Sequence, residues 1–106
     1  MIEVVFTYDF LPGIDDAAYA RIATKATSMM LAADGFIEFH ANRNMLGSPN
    51  VRRTSVWKSF AHYAALVEHP EFQKINVEFR TFVTNLDIVI WGPSPLIPEP
   101  IRPESD

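Results

Sequence analysis

One short stretch of the sequence brings together residue types that can move a proton. Residues 35–44 read GFIEFHANRN, and the alternation of side chains along a strand would put Glu38, His40 and Asn42 on one face. Imidazole changes its charge near neutral pH, so His40 could act as a general base on a phenol or an enol. The resulting anion could then react with oxygen without a cofactor. The alternative is that a cross-strand partner or solvent satisfies the histidine, and the sequence leaves both interpretations open.

The next polar stretch, VRRTSVWK at residues 51–58, offers a second candidate group. If the two strands pair, Arg53 and Ser55 could lie beside Glu38 and His40. A guanidinium at that place could bind a carboxylate or a developing oxyanion. An ion pair between Arg53 and Glu38 is supported at least as well, and it would leave nothing free for a ligand.

Aromatic and helix-end residues complete the predicted site. Trp57 and Trp91 could stack on a planar ligand, although packing in a dimer interface is the favoured interpretation. His69 precedes Pro70 and is predicted to lie at a helix end and cap its carbonyl groups, with a place in the pocket as the alternative. We therefore assign His40 as the candidate base, and we assign the following residues to substrate binding: Glu38, Asn42, Arg53, Ser55, Trp57, His69 and Trp91.

Neither a metal nor a cofactor is expected. The histidines His40, His62 and His69 do not pair with one another at the i, i+4 spacing of a helix or the i, i+2 spacing of a strand. The chain has no cysteine and no G-x-G-x-x-G or P-loop motif. Thiolate sites are therefore excluded, and nucleotide cofactors have no motif to support them.

The bulk composition limits the classes of partner. The 106 residues suit one domain, and a net charge of −4 with a pI near 5.2 disfavours nucleic acids and anionic membranes. No run approaches the ~20 apolar residues of a membrane span, and the first residues lack the basic and apolar regions of a signal peptide. We expect a cytoplasmic protein that binds no nucleic acid and no membrane.

Hydrophobic periodicity predicts the element order β-α-β-β-α-β, with the second helical region broken before Pro70. This is the ferredoxin-like arrangement, an α+β fold with a four-stranded antiparallel sheet and its helices on one face. The domain is expected to span residues 1–92, followed by a proline-rich extended tail at 93–106. The predicted strands are 2–10, 35–44, 51–58 and 85–92, and the predicted helices are 16–33 and two segments between 59 and 83.

The sheet face opposite the helices is expected to need a cover. Thr54 and Val56 are predicted to point toward the helices, which leaves the other face with both tryptophans and the polar row. Its predicted members are Val5, Thr7, Glu38, His40, Asn42, Arg53, Ser55, Trp57, Val89 and Trp91. Exposed aromatic patches usually mark binding surfaces, and a second copy related by a twofold axis is the simplest cover. We expect a homodimer through this sheet face, with a small organic ligand enclosed.

Three stretches carry a family resemblance: VVFTYDFLPGIDDAAY, the strand GFIEF after the first helix, and SVWKSFAHYAALVEHPEF. In their order and spacing the chain resembles the antibiotic-biosynthesis monooxygenase-like group of the dimeric α/β-barrel superfamily, from Val4 to about Trp91. The resemblance implies a homodimer whose sheets face each other and a small-molecule pocket. It also implies one of several activities, which include cofactor-independent oxygenation of polycyclic phenols or quinols, haem degradation and isomerisation of small metabolites.

Haem degradation finds no support in the residues. The haem-degrading relatives use an asparagine on the first strand, a tryptophan late in the second helix and a histidine further on. The corresponding places here hold Phe6 or Thr7, Leu66 and Asn76. The expected function is therefore a cofactor-independent monooxygenase-like enzyme that acts on a small phenolic, quinol or enolic molecule. The alternatives are a non-catalytic dimer that binds a small ligand or serves a structural role, and an isomerase or lyase of the same fold.

Overall fold

The computed structural model describes residues 1–104, which form four strands and three helices. In chain order these are β1 (Ile2–Phe10), α1 (Asp16–Ala32), β2 (Phe36–Arg43), β3 (Val51–Trp57), α2 (Phe60–Val67), α3 (Pro70–Phe79) and β4 (Val83–Trp91). All strand pairs are antiparallel, and the strands lie in the order β2-β3-β1-β4. The ferredoxin-like α+β fold predicted from the sequence is confirmed.

Each helix begins at a side chain that accepts a hydrogen bond from a free backbone amide. Asp15 accepts from the amide of Ala18 at 3.1 Å, and Ser59 accepts from the amide of His62 at 3.3 Å. At the start of α3, the Nδ1 atom of His69 accepts from the amide of Glu71 at 3.2 Å. His69 therefore caps amides at the beginning of a helix. The prediction that it caps carbonyl groups was wrong, because Pro70 opens a new helix directly after it.

The boundary between the last helix and the last strand lies earlier than predicted. Helix α3 ends at Phe79, and Val83 already pairs with Phe10 in the sheet. The backbone amide of Leu11 donates to the carbonyl of Phe82 at 3.0 Å, which ties this turn to the end of β1. The prediction of a helix to residue 83 was wrong because residues 79, 82 and 83 mimic helical spacing.

The orientation of β3 corrects the largest error in the sequence interpretation. Trp57 lies opposite Ile2, Ser55 opposite Val4 and Arg53 opposite Phe6. These residues therefore share the helix-facing side of the sheet with the apolar residues of β1. The even-numbered residues of β3, among them Thr54 and Val56, point to the open face. The predicted placement of Arg53, Ser55 and Trp57 on the open face was wrong by one residue of alternation.

Aromatic packing holds the core between the sheet and the helices. Trp57 is fully buried, and its ring packs edge-on against Phe36 and Tyr63 with centroids 5.4 and 5.7 Å apart. Its Nε1 donates to the hydroxyl of Ser55 at 2.9 Å, so the indole nitrogen does not lose its partner on burial. A second cluster surrounds Tyr8, which is also fully buried.

Residues 93–104 lie on the surface after β4. They form neither helix nor strand, and the side chains of Leu96 and Ile101 are 91% and 80% exposed. The division into a domain at 1–92 and a tail at 93–106 stays a prediction. Residues 105 and 106 of the tail lie outside the described range. No helix within residues 1–104 combines the length and the apolar character needed to cross a membrane.

Candidate functional site between the sheet and the helices

A cavity of about 50 Å³ lies between the helix-facing side of the sheet and the three helices. Its floor is formed by β1, β2 and β3, and its walls are formed by α1, α2 and α3. Most of the lining is apolar, with Val4, Phe6 and Phe39 on the floor. Four polar side chains interrupt this lining: Arg53, Ser55, Tyr63 and Asn76. A mostly apolar pocket with a few converging polar groups is the usual form of a small-molecule site.

Arg53 is the only ionised side chain in the lining described here. Its guanidinium carbon lies 4.6 Å from the ring centroid of Phe39, and Nη2 donates to the hydroxyl of Thr27 at 3.2 Å. Thr27 in turn donates to the carbonyl of Ala23 at 2.9 Å, which leaves its oxygen oriented to accept. Within residues 1–104 no carboxylate forms a salt bridge with Arg53. A half-buried cation thus lies at the edge of an apolar space, and none of the carboxylates described up to residue 104 forms a salt bridge with it.

Two tyrosines near the cavity stay protonated over a wide pH range. Burial raises the pKa of Tyr8, a hydrogen bond with Tyr19 raises it further, and Arg53 opposes both effects. Burial also raises the pKa of the Tyr63 phenol, which lines the cavity. At neutral pH these hydroxyls can donate hydrogen bonds but cannot serve as bases.

The open face of the sheet holds the other predicted residues. The Nδ1 atom of His40 lies 3.6 Å from a carboxylate oxygen of Glu38, and both side chains are well exposed. Asn42 accepts two hydrogen bonds from Arg52, at 3.2 and 3.1 Å. His40 and Trp91 line a shallow depression on this face. The predicted row of Glu38, His40 and Asn42 thus exists, but its basic partner is Arg52.

The structure divides the predicted site between two faces of the sheet. Arg53 and Ser55 line the internal cavity, and Trp57 lies directly behind Ser55 in the core. Arg53 cannot pair with Glu38, since the two side chains point to opposite sides. His69 lies in an exposed groove beside His62 and does not line the internal cavity.

Sequence reasoning missed two polar groups of the cavity. Tyr63 was not among the predicted site residues, and Asn76 was considered only as a mismatch to a haem-binding position. Both lie on the inward stripes of their helices, at positions where a polar group among apolar neighbours was the available signal. Within residues 1–104 no group of three or more histidine, cysteine, aspartate or glutamate side chains could hold a metal ion.

The fold and this cavity define a small ferredoxin-like protein with a pocket between its sheet and helices. The chain belongs to the antibiotic biosynthesis monooxygenase family, whose sequence model matches residues 1–77. No curated protein sequence matches the chain significantly.

Solved structures with the same fold include proteins of different activity. A single-residue variant of SnoaB, a cofactor-independent oxygenase from Streptomyces nogalater, superposes with a TM-score of 0.76 at 14% identity, over 92% of this chain and 97% of that chain. A hydroxynitrile lyase from Passiflora edulis gives a TM-score of 0.73 at 10% identity, over 85% and 90% of the two chains. A conserved protein from Methanosarcina mazei gives 0.75 at 14% identity, over 85% and 89%. At these identities the likeness concerns the fold.

Proposed function

We propose that this protein is a cofactor-independent monooxygenase that binds a small phenolic, quinol or enolic molecule in the cavity between the sheet and the helices. The observation that carries the proposal is Arg53, a cation that faces an apolar pocket and has no carboxylate partner in residues 1–104. Family membership supports the reaction class. The similarity in fold to a cofactor-independent oxygenase is consistent with it.

The chemical role of Arg53 follows from its surroundings. A positive charge in a poorly solvated site favours the ionised form of a bound phenol or enol and lowers the pKa of that hydroxyl. The attraction is stronger there than in water, because few dipoles screen it. The stacking on Phe39 and the bond to Thr27 hold the guanidinium in place before the substrate arrives. Arg53 therefore stabilises an oxyanion that forms in the pocket.

Oxygenation of such an anion needs no external reductant. The electron-rich carbon of the enolate or phenolate forms a bond to one atom of dioxygen, and the peroxide that results takes up a proton. Where that carbon still carries a hydrogen, the hydroperoxide loses water and leaves a carbonyl group. A CH₂ group and O₂ thus become a C=O group and H₂O, and the substrate supplies all the electrons that reduce oxygen.

The predicted role of His40 needs a different location for the substrate. His40 and Arg53 lie on opposite faces of the sheet, so one molecule cannot contact both within a protomer. No histidine, aspartate or glutamate lines the internal cavity as described. A substrate bound there would enter as the anion or release its proton to water. His40 remains the candidate base only for a ligand bound on the open face.

Two neighbouring arginines provide a matched test. Arg53 faces the cavity, whereas Arg52 on the same strand faces the open side and bonds to Asn42. We expect oxygen uptake with hydroquinone, 1,4-naphthohydroquinone or anthrone, above the rate without protein, measured with an oxygen electrode. Arg53→Gln should lower kcat/KM by about 100-fold, the size of effect typical of losing an oxyanion donor. Arg52→Gln and His40→Gln should change it little. The internal cavity would be refuted as the site if wild type and Arg53→Gln took up oxygen at equal rates. A loss of oxygen uptake in His40→Gln alone would indicate a site on the open face.

A lyase or isomerase is the second candidate, because a group that stabilises an oxyanion serves carbon–carbon cleavage and enolisation equally well. The hydroxynitrile lyase from Passiflora edulis has a similar fold, which supports a lyase as the second candidate. Turnover of the same panel under nitrogen would favour this candidate. Binding without turnover in either gas would favour the non-catalytic ligand-binding alternative.

We also propose that the open face of the sheet forms a homodimer. Trp91 is 60% exposed on this face and lies beside Val5, which is a large apolar surface to leave in water. Sedimentation or native mass spectrometry should give a species of about twice 12.0 kDa. Trp91→Asp should shift it to monomer, whereas Val77→Asp, at an apolar residue 69% exposed on α3, should not. A monomeric wild type at micromolar concentration would refute the dimer.

A further inference from the structure

We propose that the cavity takes a single-ring aromatic carboxylic acid, and that Arg53 and Met30 set this preference. The inference rests on the proposed function, because it names the class of molecule that the same site accepts. The proposed ligand class differs from the polycyclic phenols that the family resemblance implies. Two properties of the cavity support it: the donors of Arg53 that Thr27 and Tyr8 leave unused, and the small volume between core side chains.

The donors of Arg53 suit a carboxylate. A guanidinium has five N–H groups in a planar fork. Arg53 donates from Nη2 to Thr27 and also interacts with the Tyr8 hydroxyl, so only its remaining N–H groups are available to a ligand. The guanidinium carbon lies 4.6 Å from the centroid of the Phe39 ring, and this contact helps to fix the position of the group. A carboxylate can accept two parallel bonds from a guanidinium, whereas a single phenolic oxygen engages fewer donors.

The size of the cavity limits the rest of the molecule. Its volume is about 50 Å³, whereas a dry engineered cavity of roughly 150 Å³ in another protein is known to bind benzene. Even one ring therefore requires some side chains to move. Phe72, Ile75 and Phe79 form one wall and are each less than 10% exposed, so they are held by the core. A second or third ring that extended toward this wall would have to displace them, at the cost that overpacking imposes on a dense interior.

Met30 is the wall residue best suited to make the necessary room. It lies on α1, lines the cavity and is 7% exposed. Met30 belongs to the same core cluster as Phe72 and is equally buried, but methionine is unbranched and flexible, so it can change rotamer at a lower cost. The small side chain of Ala26, one turn earlier on the same helix, leaves the space into which a ring would extend. We infer that Met30 sets the upper limit of ligand size.

Isothermal titration calorimetry with three probes separates charge from size. Salicylate has one ring and a carboxylate, salicylamide has the same ring with a neutral head group, and 1-hydroxy-2-naphthoate has the same head group with one more ring. Wild type should bind salicylate about tenfold or more tightly than salicylamide, as expected for hydrogen bonds to a charged partner. It should prefer salicylate to the naphthoate by a similar factor, given the usual cost of overpacking.

Variants assign each preference to its residue. Arg53→Gln should bring the affinities for salicylate and salicylamide close together, and Ala26→Leu should weaken both by filling the cavity. Met30→Ala should shift the preference toward the naphthoate. Met29→Ala is the matched control, because Met29 lines two surface grooves and not the cavity, and it should leave the order unchanged.

The outcomes distinguish this inference from the proposed function. Equal binding of salicylamide overturns the carboxylate, and equal or tighter binding of the naphthoate by wild type overturns the size limit. In either case an effect of Arg53→Gln on oxygen uptake would leave the proposed function standing. If none of the three probes binds in a way that Arg53→Gln weakens, the inference is overturned. If Arg53→Gln leaves oxygen uptake unchanged, the proposed function is overturned, whatever the binding results.

Discussion

Replacing Gly35 by alanine should destabilise the protein more than an ordinary glycine substitution does. Gly35 has a φ of +81° and connects α1 to β2, the strand that supplies Phe39 to the cavity floor. A methyl group at this position would lie 2.6 Å from the Cβ atom of His62 and closer still to its ring. His62 cannot simply swing away, because its Nδ1 atom is hydrogen-bonded to Ser59 at 2.6 Å.

The expected magnitude is the sum of two costs. An L-residue in the left-handed region costs roughly 1–2 kcal/mol, and forcing a methyl into occupied space costs roughly another 1–3 kcal/mol. We therefore expect Gly35→Ala to lower the free energy of unfolding by about 2–5 kcal/mol. That is a large share of the ~5–15 kcal/mol that holds a small domain together.

Urea denaturation measures this effect, and a second glycine controls for the backbone. Gly13 has a φ of +70°, and a methyl group there would meet nothing within 4 Å. Gly13→Ala should therefore show only the backbone cost of about 1–2 kcal/mol. In a His62→Gly background, which removes both the ring and the Cβ atom, the cost of Gly35→Ala should fall by about 1 kcal/mol or more. Equal destabilisation at both glycines, or no coupling to His62, would refute the steric argument.

Two further predictions concern pH. Hydrogen bonds from Asn85 and Ser48 hold the pKa of Asp9 below its usual value, so the stability that this carboxylate contributes is present above about pH 4 and is lost as the pH falls through its folded-state pKa. Asp9→Asn should therefore lower the urea midpoint at pH 7, and the difference from wild type should shrink on acidification; a constant difference would contradict this. Burial raises the pKa of Tyr8 and Tyr63, so the wild type should lose stability as the pH rises above about 10, the pKa of an unfolded tyrosine. Tyr63→Phe should weaken this alkaline dependence, and an unchanged profile would argue against the burial of that phenol.

The elements that sequence reasoning placed correctly have strong and consistent local signals. The alternation of β1, interrupted only at Val5, and the regular apolar spacing of α1 predict a strand and a helix, and the helix begins beside an aspartate pair of which Asp15 is the cap. The break before Pro70 was likewise predictable, because proline restricts the residue that precedes it. The ferredoxin-like order follows from these elements, whereas the dimer and the chemistry depend on which side chains share a face.

The candidate site was harder to predict because β3 has no clear alternation. Its odd-numbered residues include Val51 and Trp57 but also Arg53 and Ser55, and its even-numbered residues include Val56 and Thr54 but also Arg52. Two of the four odd-numbered residues and one of the three even-numbered residues are apolar, so periodicity hardly distinguishes the two faces. Polarity suggested that Arg53 faces outward. The structure instead accommodates it on the Phe39 ring and Thr27, contacts that join separate elements and leave no trace in the local pattern.

The energetics of one side chain settle the orientation of β3. Trp57 is fully buried, and burying the ~150–250 Å² of a tryptophan stabilises the fold by about 4–6 kcal/mol at 25 cal/mol per Å². A one-residue shift would turn that ring to the open face and bring Val56 inward, which gains little because Val56 is already only 5% exposed. The shift would also separate Trp57 from Ser55, the acceptor of its indole N–H. Arg53 enters the cavity because Trp57, four residues further along the same strand, must face the core, and the charge at the proposed site is therefore a consequence of packing the indole.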